Sequence, residues 1–231
     1  MLYDLAQKAL LAPALLEPGD LAEAVAVYGR RGALELTAIL GSFHFINRIA
    51  DLVGIQSDLP MVQPRWAWLR RLGVRAQGWA MDRFLDMSHQ ASDIDAVACL
   101  EEAQKVLGPL PAGYAQLTEA PPVAAFLTTV SAVSQRIDPA IFDAVTPAVA
   151  AALPHGEDEA TGFHERPGDP VDALAFVGTR YPVRTTDAMV DAVRQKTGYG
   201  DPEILDLFYA ISMRNALERM NRLMAGPLPA A

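Results

Sequence analysis

The sequence predicts an all-α fold, and three observations lead to that prediction. Of the 231 residues, 51% are hydrophobic but only 7% are aromatic, so small and unbranched helix formers dominate the apolar set. Apolar residues recur at helical spacing in most segments, whereas the alternation typical of strands is never sustained. A short helix, a glycine turn and a long helix are also predicted near both ends of the chain.

The first half of the chain, residues 1–110, is predicted to form the first helical repeat. Asp20 begins a short helix, Gly54 ends the long one, and Ser92 caps the last one. Two prolines in 55–64 predict a loop after the long helix. The predicted helices are 21–30, 33–53, 79–88 and 92–107, with a further helical region that starts at Trp66.

A boundary is predicted at residues 108–122, which carry four prolines and two glycines. Residues 111–231 would then form the second repeat, and the two repeats are expected to make one compact unit. Asp138 and Pro139 are a typical cap and first-turn pair. A polar loop at 154–170 divides this half, and the tail from Gly226 is expected to fray. The predicted helices are 123–136, 139–152, 171–179, 185–196 and 202–224.

Charge and cysteine content exclude several functional classes. The net charge is −9, from 19 basic and 28 acidic residues without a basic block, which argues against nucleic-acid binding. The single cysteine, Cys99, excludes an internal disulfide and a CxxC pair. We find neither a signal-peptide pattern nor an apolar run of the roughly 20 residues that a membrane span needs. The composition therefore predicts a cytoplasmic protein that does not bind membranes.

The long helix of the first repeat carries a concentrated polar face. His44, Asn47, Arg48 and Asp51 stand at i, i+3, i+4 and i+7, so they share one side of the helix. A similar pattern follows Glu203 near the other end of the chain. When Glu35 is aligned with Asp206, His44, Asn47 and Arg48 correspond to Asn215, Glu218 and Arg219. The recurrence predicts a duplicated unit whose two copies pack about a pseudo-twofold axis.

These segments resemble a known family. The stretch from Glu35 to Gly54, with its Phe-x-Asn-Arg core at 45–48, is similar to the carboxymuconolactone decarboxylase/alkylhydroperoxidase D-like superfamily. The Gly-Tyr-Gly-Asp-Pro-Glu-Ile-Leu-Asp-Leu stretch at 198–207 resembles the same family's entry into its core helix. The resemblance implies an all-α AhpD-like fold with an internal duplication, assembled as a homo-oligomer such as a dimer, trimer or hexamer.

The resemblance also shows which chemistry is missing. Counting from Glu35, the family's peroxidase motif would place its two cysteines and its histidine at Asn47, Ala50 and Gly54. An amide cannot replace the thiolate nucleophile, so thiol peroxidase chemistry is predicted to be absent. Cys99 has acidic neighbours and is expected to be inert. A residual peroxidase that uses Cys99 is kept as a separate hypothesis. No cofactor is expected, and His155 and His164 lack the close spacing of a zinc motif.

The remaining polar groups suggest a small-molecule enzyme that binds a carboxylate. Arg48 and Asn47 would bind the substrate, and His44 would move a proton. Glu35 would act as acid or base only if the helix breaks near Gly41 and Ser42, because it otherwise lies on the opposite side from His44. The counterparts in the second repeat are Asn215, Glu218 and Arg219. The alternative is a non-catalytic oligomeric scaffold whose subunit interface is this polar face.

Overall fold

A computed structural model describes residues 2–11, 15–54, 94–153 and 168–228. Within these ranges the regular elements are all helical and no strand occurs, which confirms the predicted all-α class. The predictions made for 55–93, including Trp66 and Ser92, and for 154–167, including His155 and His164, lie outside them. The α-helices are α1 Leu2–Leu11, α2 Ala22–Val53, α3 Ala96–Leu107, α4 Pro121–Ser134, α5 Pro139–Ala152, α6 Pro170–Arg180, α7 Asp187–Thr197 and α8 Asp201–Leu223. Short 3₁₀ helices lie at Pro18–Leu21, Ala112–Glu119 and Pro182–Arg184.

Aspartate side chains begin three of these helices. The carboxylate of Asp95 accepts from the Val97 and Ala98 amides, so α3 begins at Ala96 rather than near the predicted residue 92. Asp138 and Asp169 accept amide hydrogen bonds at the starts of α5 and α6 in the same way. These caps satisfy amides that have no partner inside the helix, and a proline follows Asp138 and Asp169 at the first helical position.

Helix α2 is broken at one glycine. Gly29 has φ 74° and ψ 173°, while the rest of Ala22–Val53 is helical, including Gly41 and Ser42. The sequence-based prediction of a short helix ending at this glycine turn is therefore confirmed, because only glycine adopts such a conformation readily. The helix then runs unbroken to Gly54, which caps it in the left-handed conformation with φ 73°.

Helix α8 lies at the centre of the packing. It packs most extensively on α2 and α5, and Gly41 of α2 lies against Met220 of α8. A Cβ atom at this glycine would lie 2.4 Å from the sulfur of Met220. The two long helices that carry the predicted repeat motif thus pack directly against each other.

The two main core clusters draw side chains from both sides of the predicted boundary. Leu34 and Leu127 contribute to the first cluster together with Met220 of α8. Leu52 contributes to the second cluster together with Ile141 and Ile211. Within the described residues, the two halves therefore share these two clusters.

The expectation of a frayed tail is wrong for residues 226–228. Leu228 is 5% exposed, and its backbone amide donates to the side-chain oxygen of Gln116 at 2.9 Å. Gln116 also donates to the Gly226 carbonyl at 3.4 Å. Tertiary contacts thus hold a segment whose composition alone suggests disorder.

One helical stretch is long and apolar enough to span a membrane, contrary to the expectation that no such stretch exists. By length and composition alone, Pro18–Val53 could cross a membrane, with 28% of its most apolar window buried in the fold. The core helix of a soluble protein passes the same test, so the length and composition are only weak evidence for a membrane span. The stretch is interrupted at Gly29 and buries His44 and Arg48 against other helices.

Candidate functional site

The polar face of α2 is divided between the interior and the surface. His44 and Arg48 are 3% and 7% exposed, whereas Asn47 is exposed and Asp51 is half-buried. A buried arginine and histidine are costly unless they are hydrogen-bonded. Their partners therefore determine what this face can do.

The principal partner is the backbone carbonyl of Thr179. It accepts from Arg48 Nε at 3.2 Å, from Arg48 Nη2 at 3.0 Å and from Asn215 Nδ2 at 3.3 Å. Thr179 is the penultimate residue of α6, where carbonyl oxygens have no amide partner within the helix. A cation is favourable at this end of a helix dipole, which helps to stabilise the Arg48 charge.

The second partner of Arg48 is the imidazole of His44. Arg48 Nη1 lies 2.9 Å from His44 Nδ1. Arginine has no acceptor, so Nδ1 accepts and the proton of the neutral ring resides on Nε2. Burial, with the charges of Arg219 and Arg48, lowers the pKa of His44 from 6.5 to about 2. His44 is therefore a neutral hydrogen-bonding group and a poor proton acceptor, which disfavours the catalytic role expected from the sequence.

A cleft of about 340 Å³ lies on the solvent side of His44 and Arg48, which form part of its wall. Among the described residues of its wall, Arg48, Arg180 and Arg184 contribute three guanidinium groups and Asp51 contributes one carboxylate. Burial raises the pKa of Asp51, and the charge of Arg48 opposes that shift. The lining residues are Phe43, His44, Asn47, Arg48 and Asp51 of α2, with Arg180, Tyr181, Pro182, Val183 and Arg184 on the opposite side.

The opposite wall of the cleft was not found by sequence reasoning. Its guanidinium groups at Arg180 and Arg184 lie 5.3 Å and 5.1 Å from the centre of the Tyr181 ring. Arg180 also donates to the Ala152 carbonyl at 3.0 Å, which fixes its position. The available signal was the Arg-Tyr-Pro-Val-Arg stretch at the end of a helix, where cations and free carbonyls commonly meet.

Glu35 does not reach this cleft. Its carboxylate pairs with Arg31 at 2.9 Å, one turn earlier on α2. The break near Gly41 and Ser42 that would bring it towards His44 does not occur, because the backbone stays helical there. A role for Glu35 as acid or base in this cleft is therefore wrong on geometric grounds.

The three counterpart residues on α8 separate into two groups. Asn215 is fully buried and Arg219 is 2% exposed, and the Arg219 charge lowers the His44 pKa, so both lie beside the Arg48 network. Glu218 instead pairs with Arg214 at 2.9 Å and lines neither side of the cleft. The structure thus brings Asn215 and Arg219 to the site and leaves Glu218 outside.

The alternative hypothesis uses the polar face as a subunit interface. His44 and Arg48 are buried within their own chain, so only Asn47 and Asp51 remain for a partner. The outward side of α2 carries apolar residues instead. We call Ile39, Phe43, Ile46 and Val53 the α2 stripe; they are 52%, 58%, 58% and 44% exposed.

Cys99 does not line the cleft, and the described parts of the chain hold no cluster of metal-binding side chains. Cys99 is half-buried on α3, and its carbonyl accepts from Thr128 Oγ1 at 3.4 Å. Groups of three or more His, Cys, Asp or Glu side chains with metal-binding geometry do not occur in these ranges.

Comparison with known proteins adds no assignment: no protein-family profile, no curated protein and no solved structure matches the chain.

Proposed function

We propose that this protein binds a small carboxylate-bearing molecule in the cleft between α2 and the turn at residues 180–184. The observation that carries the proposal is the charge of the lining, in which the described residues supply three guanidinium groups, Arg48, Arg180 and Arg184, and one carboxylate, Asp51. The volume of about 340 Å³ lies within the range of small-molecule sites. Guanidinium groups bind carboxylates with charge-assisted and often bidentate hydrogen bonds.

The cleft offers rigid and adaptable contacts. Arg48 is held by the Thr179 carbonyl and His44, so its charge is fixed before a ligand arrives. Asn47 is exposed and contributes a side-chain amide to one wall. Arg184 is half-buried and contributes a guanidinium group to the opposite wall. Phe43 and Tyr181 supply aromatic surface beside these polar groups. A ligand with a flat apolar body and one carboxylate would use all of these features.

Benzoate is a suitable probe for the cleft. We expect calorimetry to detect benzoate binding, and we expect Arg184→Ala to weaken it by at least about ten-fold, because a charge-assisted hydrogen bond contributes roughly 1.5–3 kcal/mol and each ~1.4 kcal/mol is a factor of ten. The matched control is Arg136→Ala, which removes an exposed arginine that lines no part of the cleft. Equal weakening in both variants would indicate non-specific charge attraction, and no binding to the wild type would overturn the proposal.

A relationship to the carboxymuconolactone decarboxylase/AhpD-like superfamily is part of the proposal. It is supported by the sequence motif and by the direct packing of α2 on α8.

Catalysis in this cleft would not use a thiol, since Cys99 lies on α3 and lines no part of the cleft. The same peroxide consumption by wild type and Cys99→Ser would eliminate the residual peroxidase hypothesis. The negative net charge supports a protein that does not bind nucleic acid, and a cytoplasmic location is part of the proposal.

The second candidate function is an oligomeric scaffold that associates through the α2 stripe. Its members follow heptad-like spacing along one helix face, which is typical of helix pairing between copies. Light scattering should show an oligomer for the wild type and a smaller mass for Ile46→Glu. Val97→Glu is the control, because Val97 is 54% exposed on α3 outside the stripe. A wild-type monomer at all concentrations would rule this candidate out.

A further inference from the structure

A second cavity lies away from the cleft and is lined by different residues. Its volume is about 560 Å³, and it is formed by the end of α3 and the following turn, the end of α4, α5 and α8. Apolar side chains make most of its wall, including Leu107, Leu110, Ile137, Phe142 and Leu217. Concave apolar sites of this size commonly take small molecules when a few polar groups orient the ligand.

Asn221 supplies such an orienting group. The hydroxyl of Tyr114 donates to Asn221 Oδ1 at 2.9 Å, which leaves the Nδ2 amino group as the donor on the other side of the amide. Burial raises the pKa of Tyr114, so its hydroxyl stays protonated and this orientation persists. Asn221 lines the cavity and is half-buried, and Nδ2 has no acceptor among the described residues.

The charge of this cavity differs from that of the cleft. Arg214 is the only cation among the described residues of its lining, and it is neutralised by the ion pair with Glu218 at 2.9 Å. Asp143, an exposed residue of α5, adds a negative charge to the lining. The lining therefore has no excess positive charge to compensate a carboxylate, and removing an anion from water would be unfavourable here.

We propose that this cavity is a second binding site, which takes a neutral small molecule with an apolar chain or ring and one carbonyl acceptor. The apolar body packs against Leu107, Ile137 and Leu217, and the carbonyl accepts from Asn221 Nδ2. The site is independent of the carboxylate cleft, since the two linings share no residue. The two sites are therefore expected to select ligands of different charge.

The test uses 2-octanone as the neutral probe and octanoate as its charged counterpart. Methyl NMR spectra of the full chain should show 2-octanone shifting the resonances of Leu107, Leu110 and Leu217, with octanoate at least ten-fold weaker at these positions. Asn221→Asp keeps an oxygen for the Tyr114 hydroxyl but removes the amide donor. This variant should weaken 2-octanone binding about ten-fold, as expected for loss of a hydrogen bond beside a new half-buried charge.

Two further variants make the result decisive. Ser134→Phe adds volume at a half-buried lining position and should abolish the shifts. Arg184→Ala alters only the cleft, so it should leave 2-octanone binding unchanged while weakening benzoate. The proposal is overturned if 2-octanone shifts no methyl group of the cavity, if octanoate binds there equally well, or if neither Asn221→Asp nor Ser134→Phe changes the affinity.

Discussion

At the scale of single residues, the Arg48 network shows how the fold accommodates buried charge. Arg48 donates to a helix-terminal carbonyl and to an imidazole, and Asn215 donates to the same carbonyl from α8. Two side-chain oxygens beside this network, Asn215 Oδ1 and Thr179 Oγ1, are buried without a hydrogen-bond partner in the described structure. Such groups cost free energy, so this region lowers the stability of the fold.

The first prediction concerns pH and His44. The unfolded chain binds a proton at this imidazole near pH 6.5, whereas the folded protein does not until about pH 2. Between these values the unfolded state holds more protons, so stability rises with pH and is lost as pH falls below 6.5. We expect the free energy of unfolding to lose up to about 1.4 kcal/mol per pH unit from this group.

The measurement is urea unfolding at several pH values for wild type and His44→Gln. The difference between the two slopes isolates His44 from the carboxylates, which titrate in both proteins. The slope below pH 6 should be smaller in His44→Gln. Parallel curves would mean that His44 is not held neutral by burial and by the neighbouring guanidinium groups.

At the scale of secondary-structure elements, the break in α2 matters most. Gly29 redirects the chain so that the next residue, Arg30, reaches the 3₁₀ helix Ala112–Glu119. Arg30 Nε bonds to Glu119 at 2.9 Å, and its Nη2 bonds to Gln116 at 2.7 Å. The short helix before the break and the long helix after it can therefore follow different directions across the core.

The second prediction is that Gly29→Ala destabilises the protein by about 1–3 kcal/mol. A side chain at φ 74° and ψ 173° is strained even though no neighbour lies within 4 Å of the added Cβ atom. Gly19→Ala is the matched control, because that position also has open space but no positive φ. Thermal unfolding should separate the two, and equal stability of both variants would contradict the role of Gly29 as a backbone hinge.

At the scale of the whole molecule, contacts distant in sequence join the ends of the chain. Gln116 connects Arg30 near the N-terminus with Gly226 and Leu228 near the C-terminus. Gly113 allows this contact, because an added Cβ would lie 2.4 Å from the Met224 carbonyl oxygen. Both predicted halves thus depend on a short connecting segment that the sequence marks only as a boundary.

The third prediction tests this connection. Gln116→Ala removes the acceptor of the Leu228 amide and one acceptor of Arg30, so we expect a loss of about 1–3 kcal/mol in urea unfolding. Hydrogen exchange at the Leu228 amide should also become faster. Gln104→Ala, an exposed change on α3, should leave both measurements as in the wild type. Unchanged exchange at Leu228 in Gln116→Ala would show that other contacts hold the tail.

The sequence by itself determined the helical class, most helix boundaries, the break at Gly29 and four of the five α2 residues that line the cleft. These features are local, because caps, glycine conformations and helical spacing act within a few residues. Only the tertiary structure decided that His44 and Arg48 face inward, that Glu35 lies elsewhere, and that Arg180 and Arg184 form the opposite wall. Helical periodicity groups polar side chains on one face but contains no information about what lies across from it. The acceptor of Arg48 is a backbone carbonyl 131 positions away in sequence, and packing of α6 on α2 and α8 brings it there.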